Sequence, residues 1–480
     1  MIKNIILCAS LAMGACLLPV SSGSAKVQSR NLEELPAPYE YYYGIYLNGI
    51  KVGWMKSGFA IEKNRAIFSV NLQASVAGMG QVSKIQLSES RAYNIKNGNL
   101  ENLQFLQGSS TGAVRITGKR SGSQMVVKIS AGGQVQEKTI STQEALWDAL
   151  ALYRFREKPA LGQKEQAQRF DASMLKNMQV EYHVDALEKR VFAGIESQTI
   201  KVTASYTDLG IKETSWIDHE GKILETQVGG FFIARLETKD EAMRLDYKQD
   251  LLVSAVVKSP KLIRNSILLN KLDLTMQGFG DNLPPTSERQ KIRQGQNVTS
   301  LSLTRDLPFK GMLNPNKDAS MHTYLESTPF VQSKNRKLIE KAKEVVGDTK
   351  SLHRILEKLT NFVYRHIKDE YVPAYSNALE ALNSGRGDCT EHSVLFVALA
   401  RALGLPARVA VGIAYWPPGK GFGWHAWAEV FAEERWLSVD PTWAQPIADA
   451  THIKLADGGP AEQARIVMLL GQLRIHEMMF

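Results

Sequence analysis

Three residues in the last quarter of the chain have types that can do covalent chemistry together: Cys389, His425 and Asp440. Cys389 is the only cysteine beyond residue 16, and it stands in Gly385-Arg386-Gly387-Asp388-Cys389-Thr390-Glu391-His392. Asp388 is an N-cap residue and Glu391 falls at N3, an aspartate version of the capping box. Apolar Val394, Leu395, Ala398, Leu399 and Ala402 then share one helical face. Gly404 and Pro406 end the helix. Cys389 is thereby expected at the first helical position, among free N–H groups and at the positive end of the dipole. That placement favours the thiolate, which is the nucleophilic form. The glycines before it allow the backbone to approach a bound group closely.

A thiolate nucleophile needs a base, and the base needs a group that orients it. Gly423 to Phe431 reads as a strand, Glu433-Glu434 as a polar turn, and Trp436 to Asp440 as a second strand ended by Pro441. In an antiparallel hairpin with an even loop, Phe431 faces Trp436 and Trp427 faces Asp440. His425 then lies two positions along on the side of Asp440. Diagonal neighbours on one face are about 7–8 Å apart, within side-chain reach. An odd loop without a bulge moves Asp440 to the other face.

Competing readings exist for each residue. A lone cysteine is often an inert core thiol, a strand histidine is often satisfied by a backbone carbonyl, and an aspartate before proline can simply end a strand. His392, at i+3 from Cys389, is a rival base on the same helix, although Glu391 is its only neighbouring carboxylate in sequence. Cys389, His392, His425 and Asp440 also have the donor types of a zinc site. The paired-cysteine spacings of such sites are absent, and one thiol at a helix start suits a nucleophile better. No EF-hand loop occurs. No metal and no cofactor are therefore expected. Of the nearby tryptophans, Trp427 reads as core, whereas Trp424 and Trp416 suit a cleft wall.

These motifs carry a resemblance. From about Ser351 to Gly458 the chain resembles the transglutaminase-like superfamily, relatives of papain in fold. The matching pieces are Gly385-x-Gly387-x-Cys389 before a helix, Ala402-x-Gly404-x-Pro406-Ala407-Arg408 after it, His425-Ala426-Trp427 opening a strand, and Val439-Asp440-Pro441-Thr442 closing the next. The exported bacterial subgroup is the most similar, down to the tail Ala448-Asp449-Ala450-Thr451-His452-Ile453. The resemblance implies a Cys389–His425–Asp440 triad. It also implies, by analogy with papain-like sites, that the Cys389 N–H is one oxyanion donor. Animal relatives take the second donor from an upstream tryptophan, and this chain has none between Trp216 and Cys389. Tyr371 and Tyr375 are the remaining candidates. The superfamily includes amide hydrolases and inactive members, so the acyl acceptor stays open.

The 480 residues, 44% hydrophobic, are ample for two or three domains with cores of their own. The net charge of +9 is spread rather than blocked, and no nucleic-acid motif is present. Residues 1–25 read as a signal peptide: Lys3, an apolar run from Ile5 to Leu18, then Gly23-Ser24-Ala25 before Lys26. The run is too short for a transmembrane helix. Met13-Gly14-Ala15-Cys16 offers a weaker lipid-attachment alternative through Cys16. Cleavage after Ala25 removes Cys8 and Cys16. The remaining unpaired thiol is a liability in an oxidising compartment unless it is used.

Residues 39–246 read as a β-rich antiparallel domain, with a hairpin at Asn48-Gly49. A helix is expected there, opened by the capping box Ser141-x-x-Glu144. Residues 247–330 read as a small β-rich region and linker, and 331–480 as a papain-like α+β domain. In that domain Leu338, Ile339, Ala342, Val345 and Val346 form one helical stripe, and Leu352, Ile355, Leu356, Leu359 and Val363 another. Tyr415 to Trp424 reads as a loop over the cleft. The expected protein is an exported, periplasmic cysteine amide hydrolase or acyltransferase with a peptide or protein substrate. The β-rich region is its scaffold or docking module. The alternative is an inactive envelope-binding protein of the same fold.

Overall fold

The computed structural model describes residues 35–244, 256–370, 377–458 and 464–480, less residues 79–80, 110–112, 132–133, 193, 230, 315–318 and 329. The expected signal segment with Cys8 and Cys16, and the tyrosines Tyr371 and Tyr375, lie outside the described residues. Among the described residues no helix is long and apolar enough to cross a membrane. The chain divides into two compact units, residues 2–251 and 252–480.

Alternating strands build the first unit. From Tyr39–Leu47 to Phe232–Glu237 they form one 14-stranded antiparallel sheet. Tyr39–Leu47 pairs with both its successor Ile50–Glu62 and the final strand Phe232–Glu237. The sheet edges are therefore Gln134–Ile140 and Lys164–Asp171. Asn48-Gly49 makes the expected turn, with φ of 49° and 78°, the left-handed pair that matches strand twist in a two-residue hairpin.

The expected helix start at Ser141 does not form. The helical turns here are short and begin later, at Asp148–Leu150 and Ala151–Arg154. Glu144 is instead buried, paired with Arg91 and Tyr93, and accepts from the Phe170 N–H at 2.7 Å. The reason is energetic. Breaking a buried ion pair costs roughly 3–5 kcal/mol, whereas a helix cap contributes about 1 kcal/mol.

The helix Cys389–Ala402 organises the second unit. Every side chain from Thr390 to Ala400 is buried, so this is a core helix and not an amphipathic surface one. Helices Arg336–Val346, Leu352–His366 and Ala378–Ser384 pack against it. Leu338, Ala342 and Val346 of the first stripe are buried, and so are all five residues of the second. Strands Ala407–Trp416 and Gly421–Ala432 also pack on this helix. Phe396, fully buried in the helix, contributes about 1.5–3 kcal/mol by leaving water.

Those two strands are central in a five-stranded sheet with Val257–Lys258, Arg435–Val439 and Ile453–Asp457. A four-stranded sheet joins Gln290–Gln294, Thr299–Thr304 and Lys271–Gln277 to Arg474–Met479 near the end of the chain. Strands from the 247–330 stretch are thus shared with sheets of the second unit. The stretch 415–424 is tighter than its prolines and glycines imply. The strand runs to Trp416, one 3-10 turn spans Pro417–Gly419, and the next strand starts at Gly421. A Cβ on Gly419 would lie 2.3 Å from the Trp416 ring, so the glycine there serves a close approach. Trp424 lies within the second of these strands.

Gly412 marks the closest backbone approach in this sheet. It pairs with His425 on one side and Lys454 on the other, and a Cβ there would lie 1.9 Å from the Ile453 carbonyl oxygen. That oxygen is backbone and cannot swing aside. Gly412→Ala is expected to cost at least the roughly 1–3 kcal/mol of ordinary overpacking, lowering Tm by about 5–10 °C. A thermal melt superimposable on that of the wild type would refute this.

Candidate active site

Cys389, the candidate nucleophile, is set by a formed capping box. The Asp388 side chain accepts from the Thr390 N–H at 2.8 Å, and Glu391 Oε2 accepts from the Asp388 N–H at 3.0 Å. The cap engages the N–H groups of Thr390 and Glu391 and leaves that of Cys389 without an acceptor among the described residues. Gly387 is required for this arrangement, because a Cβ on it would lie 2.2 Å from the Glu391 Cβ. Gly385, at φ 61°, closes the preceding helix in the left-handed region. Cys389 is partly exposed and is the one free cysteine among the described residues.

His425 and Asp440 come together through hairpin register. The turn residues Glu433 and Glu434 have φ of 51° and 60°. The loop is even, so Phe431 pairs with Trp436 and Ala428 with Val439. His425 Nε2 then lies 2.9 Å from Asp440 Oδ2. Cys389 is near enough to His425 to favour its protonated form. Since Nε2 addresses Asp440, the ring nitrogen left for the thiol is Nδ1. His425 and Asp440 are buried, and Cys389 is the member of the three that solvent reaches.

The electrostatics follow from this geometry. Burial disfavours the charged imidazolium of His425. The Asp440 carboxylate, the hydrogen bond to it and the neighbouring Cys389 outweigh burial and push its pKa up to about 10. Burial likewise works to raise Asp440, but His425 and His452 hold its carboxyl well below the usual range. Asp369, on the short strand that pairs with Arg386–Gly387, is shifted up by burial and senses both His392 and His425.

The surroundings of Asp440 hold partners to which the sequence motifs gave no role. Its Oδ1 accepts from the N–H groups of Thr442 at 2.8 Å and Trp443 at 3.3 Å. Its Oδ2, besides His425, receives His452 Nε2 at 3.1 Å. The Trp443 ring stacks on His425 with centroids 4.2 Å apart and planes 10° from parallel, which fixes the imidazole plane. Trp427 is core, as expected, with its ring edge-on to His452 at 5.2 Å. The rival base His392 is buried, and its Nδ1 lies 2.8 Å from the Asp388 carbonyl, which ties the ring to the helix start. Asp449 and His452 belong to the tail Ala448 to Ile453 that carried the resemblance, just before the buried strand Ile453–Asp457, but the tail gave neither of them a role.

Among the described residues, one group of metal-ligand types gathers: His425, Asp440 and His452, whose ligand atoms lie within 4.8 Å of one another. It lacks Cys389 and His392, the other members of the zinc set considered from sequence. Both imidazoles address a single carboxylate oxygen at 2.9 and 3.1 Å, the spacing of N–H···O hydrogen bonds.

Residues 333–441 match the family model of the transglutaminase-like superfamily. No curated protein matches the chain. Among solved structures, the chain is similar to a candidate cysteine protease from Cytophaga hutchinsonii, at 16% identity over 44% of this chain and 84% of that one, with a TM-score of 0.32. It is also similar to a β-barrel-like protein of a domain of unknown function from Brucella abortus, at 16% identity over 42% and 95%, with a TM-score of 0.34. A third is the periplasmic domain of TgpA from Pseudomonas aeruginosa bound to ethylmercury, at 16% identity over 37% and 76%, with a TM-score of 0.25.

Proposed function

We propose, for a chain whose residues 333–441 form a transglutaminase-like domain, that the second unit is a cysteine-dependent amide hydrolase or acyltransferase of the cell envelope. The observation that carries this reading is the buried His425–Asp440 pair at 2.9 Å, beside a partly exposed Cys389 at the start of a buried helix. The reactive form has the proton on His425 and the charge on sulfur. The thiolate attacks a peptide or side-chain amide carbonyl and forms a C–S bond. The oxyanion is met by the Cys389 N–H that the cap leaves free. As the C–N bond breaks, the His425 imidazolium gives its proton to the departing amine, and a thioester remains. The acylated sulfur no longer carries charge, so one of the influences holding the proton on His425 is gone. The neutral imidazole then takes a proton from water or from a second amine, which attacks the thioester; the C–S bond breaks, and the thiolate leaves beside the reprotonated His425.

The test is to expose the intact protein to a broad panel of peptide and side-chain amides, quench in acid, and search for an acyl mass on the Cys389 peptide. An acyl adduct that is absent in Cys389→Ser supports the reading. No adduct from any amide returns the chain to the binding-protein alternative. Adding a labelled primary amine distinguishes acyl transfer from hydrolysis by the product that carries the label.

Export belongs to the same proposal and rests on residues 1–25 of the sequence. The mature chain is expected to begin at Lys26 and to carry no lipid. N-terminal mass spectrometry of the cell-derived protein decides this, and a diacylated Cys16 as first residue would overturn it.

A further inference from the structure

We propose that His452 is a resident imidazolium bridging Asp440 and Asp449, and that this bridge keeps Asp440 ionised and aimed at His425. His452 would then be a positioning residue for the reaction proposed above, on which this part of the inference rests. The charge state follows from the acceptors around the ring. His452 Nε2 faces Asp440 Oδ2 at 3.1 Å. Its Nδ1 faces the Asp449 carbonyl oxygen at 3.2 Å and Asp449 Oδ1 at 3.3 Å. All three are acceptors. A neutral imidazole has one N–H and one lone pair, so either tautomer would turn a lone pair on a buried oxygen. Only the doubly protonated ring satisfies both sides, and His452 is fully buried.

Asp440 gains accordingly. With His452 it receives four donors: two backbone N–H groups on Oδ1 and two imidazole N–H groups on Oδ2. That fills the lone-pair sites of a carboxylate and leaves it no freedom to rotate.

The far end of the bridge is equally fixed. Asp449 Oδ1 accepts from the Thr451 N–H at 2.8 Å and the Thr451 hydroxyl at 2.6 Å, and Oδ2 accepts from Gln445 Nε2 at 2.9 Å. Gln445 in turn exchanges two backbone hydrogen bonds with Asp440, both 2.8 Å. The loop between the two carboxylates is therefore closed at both ends. Gly412 makes the bridge possible. It stands opposite His425, and its missing side chain admits the Ile453 backbone, with His452 as the residue just before. The charged groups facing His452 are Asp440 and Asp449, His425 with Cys389 beyond it, and Arg289, which donates to the same Asp449 carbonyl at 2.7 Å. Rings of Trp427 and Trp443 complete the enclosure.

Two carboxylates thus share two imidazolium charges beside Cys389. Removing the charge at 452 leaves His425 facing an uncompensated Asp440. His425 should hold its proton more tightly, and the alkaline fall in turnover should move to higher pH.

The experiment has two arms on the full chain. In the first, protein carrying nitrogen-15 histidine is titrated between pH 6 and 9 by NMR, with His452 assigned by the resonances missing from His452→Gln or, if that variant does not fold, from the order of exchange protection. Both His452 nitrogens should remain protonated up to at least pH 8. A neutral single tautomer at pH 7 overturns the proposal. In the second arm, His452→Gln should still form the Cys389 thioester, lose at least tenfold in kcat with little change in KM, and show its alkaline limb at higher pH than wild type. An unchanged limb and kcat would overturn the positioning role. Failure of wild type to form any thioester would instead defeat the enzymatic reading, while the first arm would still decide the charge on His452.

Discussion

Asp440→Asn is expected to lower amide turnover by about 10³–10⁴-fold while the protein still melts cooperatively. The geometry explains both halves. The amide oxygen of asparagine can take the place of Oδ1 and keep the Thr442 and Trp443 N–H bonds, so the turn after the strand survives. The amide NH₂ then replaces Oδ2 and presents donors to His425 Nε2. His425 must answer with a lone pair on Nε2 and carry its proton on Nδ1, the nitrogen that addresses Cys389. A base with its proton already on the working nitrogen cannot accept one from the thiol. Turnover within tenfold of wild type would show that Asp440 does not set the tautomer.

The second large effect is on pH dependence, through His425. Its pKa is raised to about 10, so the sign is that of a cation retained: imidazolium below that value, neutral ring above it. Departure of the amine needs the imidazolium. Turnover should therefore persist through neutral pH and fall about tenfold per unit above pH 10. His425→Ala should lose the acid and the base together, at a cost of about 10²–10⁴-fold. Rate measurements from pH 6 to 11 on both proteins check this. A wild-type profile that falls above pH 7 would mean that Asp440 does not hold the proton on His425.

Much of the site was legible because its placement rests on local rules. The Asp388–Glu391 capping box fixes the start of the helix within a residue, and with it Cys389. The two-residue turn at Glu433-Glu434 fixes hairpin parity, and parity fixes which side chains share a face. The helical stripes were legible for the same reason, since periodicity of 3.6 is imposed by the core they cover. What was not legible depended on distant partners. Ser141-x-x-Glu144 has the letters of a cap, but Arg91, some fifty positions earlier, claims the carboxylate. His452 lies in the tail that carried the resemblance, but its role does not show until the gap at Gly412 brings it onto Asp440. The stretch 415–424 has loop composition, yet its glycines serve close packing. Local chemistry pointed to Cys389, His425 and Asp440 as candidates, and tertiary context supplied the groups that hold them.

The most direct measurement is the pH dependence of Cys389 alkylation by iodoacetamide in wild type and His425→Ala. A thiolate–imidazolium pair predicts that wild type alkylates fast well below the roughly 8.5 pKa of a free thiol. His425→Ala should lose most of that advantage, because the helix end alone contributes about 0.3–1 kcal/mol, less than one pKa unit. His392→Ala, with its ring tied to the helix start, should leave the profile where it is. A single wild-type transition near that of free cysteine, unchanged in His425→Ala, would contradict an activated nucleophile at Cys389.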